Sequence, residues 1–435
     1  MRTVLLMALG VCGVWSCTSG TGLDAGLDAG LDAGLDAGLD VGVDAGVDAG
    51  SPAWPLPVTF ECASRVQGTP PASVELVWRA NAYLRVTSSP RVADLNGDGV
   101  GDLLVGHGVG DQGAIAAYDG VSGTPLWRTE ASGELYGSAL VVQLDGDGVH
   151  DAVVAGRYAS LLAVSGATGA ALWRFDAGVS SPRDAGWFGF YSPQPVGDVD
   201  GDGVVDLLTA NGGDDLLQPF EARPPGTLLV MSGATGAVLA RAVTPDGAET
   251  YMSPLLLSSP GGVDLIFGTG GETHAGALWR APLAALLRND LSSATQLVTP
   301  LNTRGVIAPP SFADVNRDGV EDIVVSTFDG RLMALDGATN AVLWSVATAN
   351  AESYATPAVG FFDGDDVPDV ASSFLYGEWE QGYSASRLLA VSGATGDVLY
   401  DAQVPGMVGA SPLTFDLGRD AGDSVLFVES GRTNE

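Results

Sequence analysis

From about residue 74 onward, short apolar runs alternate with turns that are rich in glycine and aspartate. A typical unit contains "VADLNGDGVGDLLVG" at residues 92–106, in which an acidic turn joins two apolar runs. Two further apolar runs follow, and a small turn such as "SGATG" joins them. Short apolar runs bounded by Gly and Asp are typical of strands, and tight Gly-rich turns are typical of hairpins. Each unit therefore predicts four antiparallel strands.

The unit with the acidic turn recurs along the chain at intervals of roughly 50 residues. Copies that retain most of the acidic pattern start at residues 92, 141, 196, 312 and 359, and degenerate copies start at residues 255 and 413. Four-stranded units repeated at this period are typical of the blades of a β-propeller. The sequence thus predicts an all-β fold, a seven-bladed β-propeller of four-stranded antiparallel blades over residues 74–435.

The two ends of the repeat region look complementary. The last unit lacks a fourth strand, and "GRTNE" is all that the sequence offers for its third. An isolated run, "VELVWRANA" at 74–82, precedes the first unit, and its Trp78 corresponds to Trp127, Trp173 and Trp344 of other units. We therefore expect this N-terminal strand to complete the last blade and to close the ring without a free edge.

The acidic turns have the spacing of a cation loop. In "DLNGDGVGD", side-chain oxygens at positions 1, 3, 5 and 9 and a carbonyl at position 7 can converge on one hard cation. Oxygen ligands suit calcium better than zinc, and a cation would offset the repulsion between the carboxylates. An ordinary Asp/Gly turn is the alternative. We expect weak affinity, with Kd values of about 10⁻⁴ to 10⁻³ M.

The predicted ligand sets differ in completeness. Three loops are complete: Asp94, Asn96, Asp98 and Asp102; Asp198, Asp200, Asp202 and Asp206; and Asp314, Asn316, Asp318 and Asp322. Two loops have Gln143 or Phe361 at position 1 and keep Asp145, Asp147 and Asp151, or Asp363, Asp365 and Asp369. The loops near Asp264 and Asp416 have lost most ligands. Calcium is expected in the three complete loops and is an open alternative in the two partial ones.

These motifs resemble the FG-GAP/VCBS repeat family, which includes the integrin α-subunit propellers and many exported bacterial proteins. The resemblance covers about residues 74–435 and rests on the repeated "DxNxDGxxD" pattern followed by an apolar strand. It implies a seven-bladed propeller with calcium in blade loops and a role in adhesion or ligand binding. The "SGATGxxLW" turns are also similar to those of quinoprotein-type propellers, although the adjacent cysteines of those enzymes are not found here.

The N-terminus predicts export. Residues 1–17 contain one Arg and an apolar run that is too short to span a bilayer comfortably, as in a signal peptide. The run ends at "VWSC", which resembles a bacterial lipobox with Cys17 as the lipidated residue; plain secretion is the alternative. Residues 18–73 include seven Asp- and Gly-containing tetrapeptides, which favour a flexible charged tether over a calcium-ordered repeat. We therefore expect an outer-membrane or cell-surface lipoprotein, with the periplasmic face as an open alternative.

Composition narrows the classes of function. The formal charge is −34, and all 19 basic residues are arginine. A strongly negative surface repels nucleic acid, and the lack of lysine removes P-loop and Schiff-base chemistry. Common hydrolase and zinc signatures such as "GxSxG" and "HExxH" do not occur. Catalytic roles for the three histidines, His107, His150 and His274, are disfavoured because no partner is obvious in the sequence.

Aromatic residues recur just before the first strand of several units. The positions are Tyr136, Tyr191, Tyr251 and Tyr354, and Trp187 lies in a longer insertion at the same end. Packing between blades is one interpretation. The other is an aromatic platform that binds a glycan or a peptide.

Together these features predict an exported, lipid-anchored, calcium-binding propeller that acts as a non-enzymatic binding, adhesion or scaffolding module. We expect it to be a monomer whose partner is a glycan or a surface protein. Two alternatives stay open: a polysaccharide lyase or hydrolase on the same fold, and an assembly factor similar to the propeller lipoprotein of outer-membrane barrel assembly. Fold alone does not choose among them.

Overall fold

The computed structural model describes residues 77–82, 84–259, 261–415 and 422–429. Several predictions therefore lie outside the described residues: the signal peptide 1–17 with Cys17, the tether 18–73, the start of the predicted closing strand at 74–76, and Asp416 of the last degenerate acidic loop. Within the described residues, no helix is long and apolar enough to cross a lipid bilayer.

The described residues form six sheets of four or five strands and one sheet of two strands. The first sheet contains β1 (Arg91–Ala93), β2 (Asp102–Val109), β3 (Gln112–Tyr118) and β4 (Pro125–Ala131). The second contains β5 (Leu140–Val142), β6 (Asp151–Ala155), β7 (Leu161–Val164) and β8 (Ala171–Arg174). The third contains β9 (Gly189–Phe190), β10 (Gln194–Gly197), β11 (Asp206–Gly212), β12 (Thr227–Met231) and β13 (Val238–Val243).

The remaining sheets follow the same plan. The fourth contains β14 (Leu255–Ser259), β15 (Gly262–Gly268), β16 (Leu278–Pro282) and β17 (Thr295–Val298). The fifth contains β18 (Ser311–Ala313), β19 (Asp322–Ser326), β20 (Arg331–Leu335) and β21 (Val342–Ala347). The sixth contains β22 (Ala351–Glu352), β23 (Ala358–Gly360), β24 (Asp369–Glu378), β25 (Gly382–Val391) and β26 (Val398–Val404), and the seventh contains β27 (Leu413–Phe415) and β28 (Ser424–Leu426).

Each of the first six sheets has the predicted topology. Successive strands pair antiparallel in chain order, as in β5-β6-β7-β8, and the short β9 and β22 add to the second strands of the third and sixth sheets. The acidic turns join first to second strands, and the Gly-rich turns join third to fourth strands. In the acidic turns Gly201 and Gly203 have φ values of 81° and 87°, a left-handed conformation that favours glycine.

The hydrophobic core is divided into layers that lie between consecutive sheets. Leu104 and Ile115 of the first sheet, for example, pack with Val154 and Leu162 of the second. Four further buried clusters join the second sheet to the third, the third to the fourth, the fourth to the fifth and the fifth to the sixth. The middle strands are therefore buried on both faces, which explains why they read as continuous apolar runs rather than alternating ones.

Two departures from the predicted repeat occur. In the fourth sheet, a short helix, α1 (Leu283–Leu286), and a loop replace the "SGATG" turn between β16 and β17. In the seventh sheet, the described residues form two strands only. The seventh four-stranded blade and the closure of the ring by 74–82 stay predictions.

Candidate functional site

The five acidic loops share one buried aspartate at position 9. Asp151 is fully buried and accepts hydrogen bonds from the backbone N–H of Leu144 at 2.7 Å and of Gly166 at 3.1 Å. The same two contacts recur at Asp102, Asp206, Asp322 and Asp369. Burial raises the pKa of each of these carboxyls, and the backbone N–H groups oppose that shift. Position 9 therefore fixes the loop to the Gly-rich turn of its own sheet, a structural role that needs no cation.

The other carboxylates of the loops remain accessible to an ion. Asp198, Asp200 and Asp202 are exposed, and Asp198 accepts hydrogen bonds from the backbone N–H of Gly201 and Gly203 at 2.7 and 2.9 Å. In this loop one carboxylate oxygen each of Asp198, Asp200 and Asp206 lies within 4.8 Å of the others. Oxygen atoms at this separation fit a divalent cation with hard ligands.

The two partial loops show the same convergence. One oxygen each of Asp145, Asp147 and Asp151 lies within 4.8 Å of the others, and so does one oxygen each of Asp363, Asp365 and Asp369. The loss of an aspartate at position 1 therefore leaves the remaining ligands together. The donor sets of both partial loops fit a calcium ion, as that of the third sheet does.

The residue at position 3 of each acidic loop varies together with one residue of the facing Gly-rich turn. Where position 3 is asparagine, the turn carries aspartate, and Asn96 Nδ2 donates to Asp119 Oδ2 at 3.0 Å while Asn316 Nδ2 donates to Asp336 Oδ2 at 3.3 Å. Where position 3 is aspartate, the turn carries serine. Those pairs are Asp145 with Ser165, Asp200 with Ser232, and Asp363 with Ser392. Each of the five loops therefore keeps the same number of carboxylates at this place.

The predicted tyrosines lie at the opposite end of the sheets, where first strands begin and second strands end. The ring centroids of Tyr136 and Tyr191 are 5.5 Å apart, and those of Tyr191 and Tyr251 are 6.1 Å apart. Tyr251 Oη donates to Glu249 Oε2 at 2.9 Å, and Arg223 Nε lies 3.6 Å from the same oxygen. Three sheets thus contribute to one continuous group of aromatic and charged side chains.

Tyr354 extends this group from the sixth sheet. Its hydroxyl donates to Glu272 Oε1 at 2.8 Å and lies 3.1 Å from the hydroxyl of Tyr383, which donates to Glu352 Oε2 at 2.6 Å. Glu272 follows the second strand of the fourth sheet, so a contact from the sixth sheet reaches across the fifth. We call the eight residues Tyr136, Tyr191, Tyr251, Tyr354, Tyr383, Glu249, Glu272 and Glu352 the Tyr–Glu cluster.

Burial and charge set the electrostatics of the Tyr–Glu cluster. Burial raises the pKa of Glu249, Glu272 and Glu352, and hydrogen bonds from tyrosine hydroxyls oppose the shift. Burial also raises the pKa of all five tyrosines, so they are neutral hydrogen-bond donors at neutral pH. The guanidinium of Arg157 lies 5.4 Å from the ring centroid of Tyr136 and lowers the pKa of Glu272 through its charge. The cluster can therefore donate and accept hydrogen bonds and present aromatic faces.

The structure separates Trp187 from the four predicted tyrosines. Trp187 packs edge-on against Phe175 and stacks on Phe190, with ring centroids 4.8 and 6.0 Å away, and the guanidinium of Arg241 lies 3.9 Å above its ring. These contacts tie the insertion to the second and third sheets. Among the predicted aromatic residues, Tyr136, Tyr191, Tyr251 and Tyr354 come together; their binding role stays a prediction.

Sequence reasoning missed the glutamates of the cluster, although a signal exists. Glu134, Glu249 and Glu352 each stand two residues before a tyrosine, in "ELY", "ETY" and "ESY". Glu134 accepts hydrogen bonds from Arg85 and Arg157 at 3.1 and 3.3 Å. Glu272 and Tyr383 carry no such repeated pattern, because Glu272 lies in the loop after the second strand of the fourth sheet and Tyr383 lies at the start of β25 in the sixth sheet.

Comparison with known proteins places the chain in a family. The model of the FAM234A/B beta-propeller family matches residues 113–412, which is more than half of the chain. The chain belongs to the FAM234A/B β-propeller family. Protein FAM234B from Homo sapiens is 24% identical over 369 residues, covering 78% of this chain and 56% of the human protein. This chain therefore spans little more than half the length of that curated relative.

Solved structures add similarity of fold alone. BamB from Moraxella catarrhalis is 13% identical with a TM-score of 0.48, over 80% of this chain and 85% of that one. The quinohemoprotein alcohol dehydrogenase ADHIIG from Pseudomonas putida is 12% identical with a TM-score of 0.45, over 82% and 72%. The family model supports a β-propeller of the FAM234 family. The likeness to FG-GAP/VCBS repeats and to bacterial lipoproteins gains no support from the comparisons.

Proposed function

We propose that this FAM234-family propeller is an exported, non-enzymatic binding module that is stabilised by calcium and takes up a glycan on the Tyr–Glu cluster. The observation that carries the proposal is the cluster itself. Tyrosines and glutamates of four different sheets meet at one end of the molecule, while the acidic loops occupy the other end.

One feature of the acidic loops supports calcium: the pair formed by position 3 and the facing turn carries one carboxylate in all five loops. A loop that served only as a turn needs position 9 and the glycines, because those residues make the backbone contacts. It does not need a fixed number of carboxylates, since neighbouring negative charges repel. The exchange of Asn96 and Asp119 for Asp200 and Ser232 keeps one carboxylate at this place, as expected if a cation is held there. In the three complete loops the residues at positions 1, 3 and 5 would hold the ion together with position 9; in the two partial loops positions 3, 5 and 9 would hold it. The ion would supply charge neutralisation.

The chemistry of the Tyr–Glu cluster supports a glycan as the ligand. Sugar rings present apolar faces that pack on aromatic rings, and their hydroxyl groups pair with carboxylates and phenols. Tyr136, Tyr251 and Tyr354 are half-buried, which leaves part of each ring accessible. Arg157 and Arg223 form ion pairs with the neighbouring carboxylates of Glu134 and Glu249.

A binding screen tests the proposal directly. The full chain is applied to a glycan array with 2 mM calcium or with a chelator, beside the variants Tyr251→Phe and Tyr354→Phe. We expect a glycan signal that either variant weakens at least about tenfold, as expected when a hydrogen bond to a buried charged group is lost. Tyr400→Phe, a change at an exposed tyrosine of the sixth sheet, is the matched control. Binding only to a surface protein through the same tyrosines would overturn the glycan class, and binding unaffected by both variants would overturn the site.

We also propose that the chain is a monomer held at a membrane through lipid on Cys17, with residues 18–73 as a tether. The lipobox-like "VWSC" and the tetrapeptides that follow it support this part of the proposal. Labelled palmitate should be incorporated into the wild-type chain and not into Cys17→Ser when both are produced in a bacterial host. Incorporation into both, or into neither, would contradict lipidation at Cys17.

A further inference from the structure

The sixth sheet has an uncovered aromatic residue where the other sheets have a covered one. Tyr400 of β26 occupies the position of Trp344 and Trp173 in their sheets, yet 53% of Tyr400 is exposed against 7% and 8% for the two tryptophans. The residues that cover Trp344 are Gly393 and Gly396 of the next sheet's Gly-rich turn. What Tyr400 lacks within the described residues is the corresponding turn of the seventh sheet.

The seventh sheet is also open at its edge. β28 pairs with β27 on one side, and within the described residues no strand pairs with its other side. Leu426 and Val428 are exposed, whereas the second strands β6 and β19 are buried throughout. An unpaired, apolar strand edge next to an exposed aromatic side chain is a surface that requires a further strand.

Trp78 identifies where that strand comes from. Its Nε1 donates to the carbonyl oxygen of Gly120 at 2.8 Å, and its ring lies against Gly123. Trp127 makes the same two contacts with Gly166 and Gly169 of the second sheet. Trp78 thus makes the contacts with the first sheet that the fourth-strand tryptophan of a preceding sheet would make.

Chain order then places the third strand before Trp78. In all six larger sheets the third and fourth strands are consecutive in the chain, and in most of them a short Gly-containing turn joins them. The sequence before Trp78 reads "VTFECASRV" at 58–66 and then "QGTPPAS" at 67–73. The first segment alternates Val58, Phe60 and Cys62 with Thr59 and Glu61, a period of two that is typical of a strand. The second is rich in Gly, Pro and Ser, as expected for a turn.

We propose that the open edge of β28 is a docking surface for the chain's own residues 58–66, which form the third strand of the seventh sheet. Residues 67–73 form the turn that covers Tyr400, and the segment around Trp78 forms the fourth strand. The seventh sheet is thus assembled from two C-terminal and two N-terminal strands. The proposal is independent of any ligand or cation, since it uses only strand pairing and apolar contacts.

Disulfide trapping tests this pairing with the native Cys62. The full chain carries Cys12→Ser and Cys17→Ser, so that Cys62 is the one native thiol left of three. Single cysteines are then introduced as Ser424→Cys, Val425→Cys or Leu426→Cys on β28. Neighbouring strands lie about 4.8 Å apart, within the Cα–Cα range of about 4.4–6.8 Å that a disulfide spans. We expect one of the three variants to form the disulfide on mild oxidation of the folded protein.

Thr414→Cys on β27 is the matched control, because it lies two strand spacings, about 9.6 Å, from the proposed strand. It should stay reduced under the same conditions. Absence of a disulfide in all three β28 variants, or equal oxidation of the control, would overturn the proposal. A third strand supplied by residues after 429 would give the first of these results.

A second measurement is independent of thiol chemistry. Phe60→Ser should lower the melting temperature, because Phe60 packs in the proposed strand, whereas Trp54→Ser, which lies before that strand, should leave it unchanged. Equal melting temperatures for Phe60→Ser and the wild type would also overturn the proposal.

Discussion

The indole nitrogen of Trp127 donates a hydrogen bond of 2.6 Å to the carbonyl oxygen of Gly166 in the next sheet. The N–H of the same glycine donates to the buried carboxylate of Asp151 in its own acidic loop. One glycine therefore connects the outer strand of one sheet to the acidic loop of the next. The arrangement recurs at Gly120, Gly233 and Gly393, and at Gly337 an arginine, Arg280, takes the place of the tryptophan.

Removing the indole N–H should weaken the contact between two sheets. Trp173→Phe keeps an aromatic ring in place but leaves the buried carbonyl of Gly233 without its donor at 2.6 Å. We expect the free energy of unfolding to fall by about 1–3 kcal/mol. Urea denaturation followed by circular dichroism measures the change, and Trp379→Phe at a more exposed position is the control. Equal loss in both variants would contradict a specific role for the Trp173 hydrogen bond.

The alternation between Asn–Asp and Asp–Ser pairs at position 3 and the facing turn predicts a compensating pair of substitutions. Asn96→Asp alone places a second carboxylate 3.0 Å from Asp119, so it should lower the melting temperature in the presence of a chelator. Asn96→Asp combined with Asp119→Ser recreates the pair found at Asp200 and Ser232 and should restore it. A double-mutant cycle gives the coupling directly. Strictly additive effects would mean that the two positions do not interact.

The buried Glu352 should make the free energy of unfolding depend on pH. Burial raises its pKa above 4.5, so the folded state holds a proton that the unfolded state has already released. The stability of the wild type therefore declines as pH rises from 4.5 through the folded pKa, and Glu352→Gln lacks this decline. We expect the stability difference, variant minus wild type, to grow with pH across this window. Urea titrations at several pH values measure it, with Glu130→Gln at an exposed position as the control; a difference that does not change with pH would contradict the burial effect.

The sequence predicted the repeated part of the fold well, because each strand boundary carries Gly and Asp at fixed places. The sequence did not predict the contacts at positions where a different residue type takes the usual role. In the fourth sheet, Asp264 holds the position of the loop aspartate but pairs with Arg280 at 2.7 Å instead of with a turn glycine. Arg280 also donates to the carbonyl of Gly337, the role that tryptophan has elsewhere. No local sequence pattern indicates that Arg280 replaces the tryptophan, since Arg280 and its partner Asp264 come from different strands.

The candidate site was predictable only in part for a related reason. The four tyrosines occupy the same position in the repeat, so the sequence pattern predicted that they lie at the same end of the sheets. Glu272 comes from the loop after β15 and Tyr383 from the start of β25, and their contacts with Tyr354 depend on the arrangement of three sheets. Trp187 stands close to Tyr191 in sequence, but its ring packs on Phe175 and Phe190.

Calcium binding should hold the acidic loops and, through them, the contacts between sheets. Thermal melting of the full chain in 2 mM calcium and in excess chelator tests it most directly, beside Asp198→Asn/Asp202→Asn and the exposed control Asp184→Asn. We expect a melting temperature several degrees higher with calcium, as for a ligand that binds only the folded state, with a smaller rise in the double variant and a full rise in the control. Identical melting temperatures with calcium and with chelator would show that the loops are ordinary Asp/Gly turns.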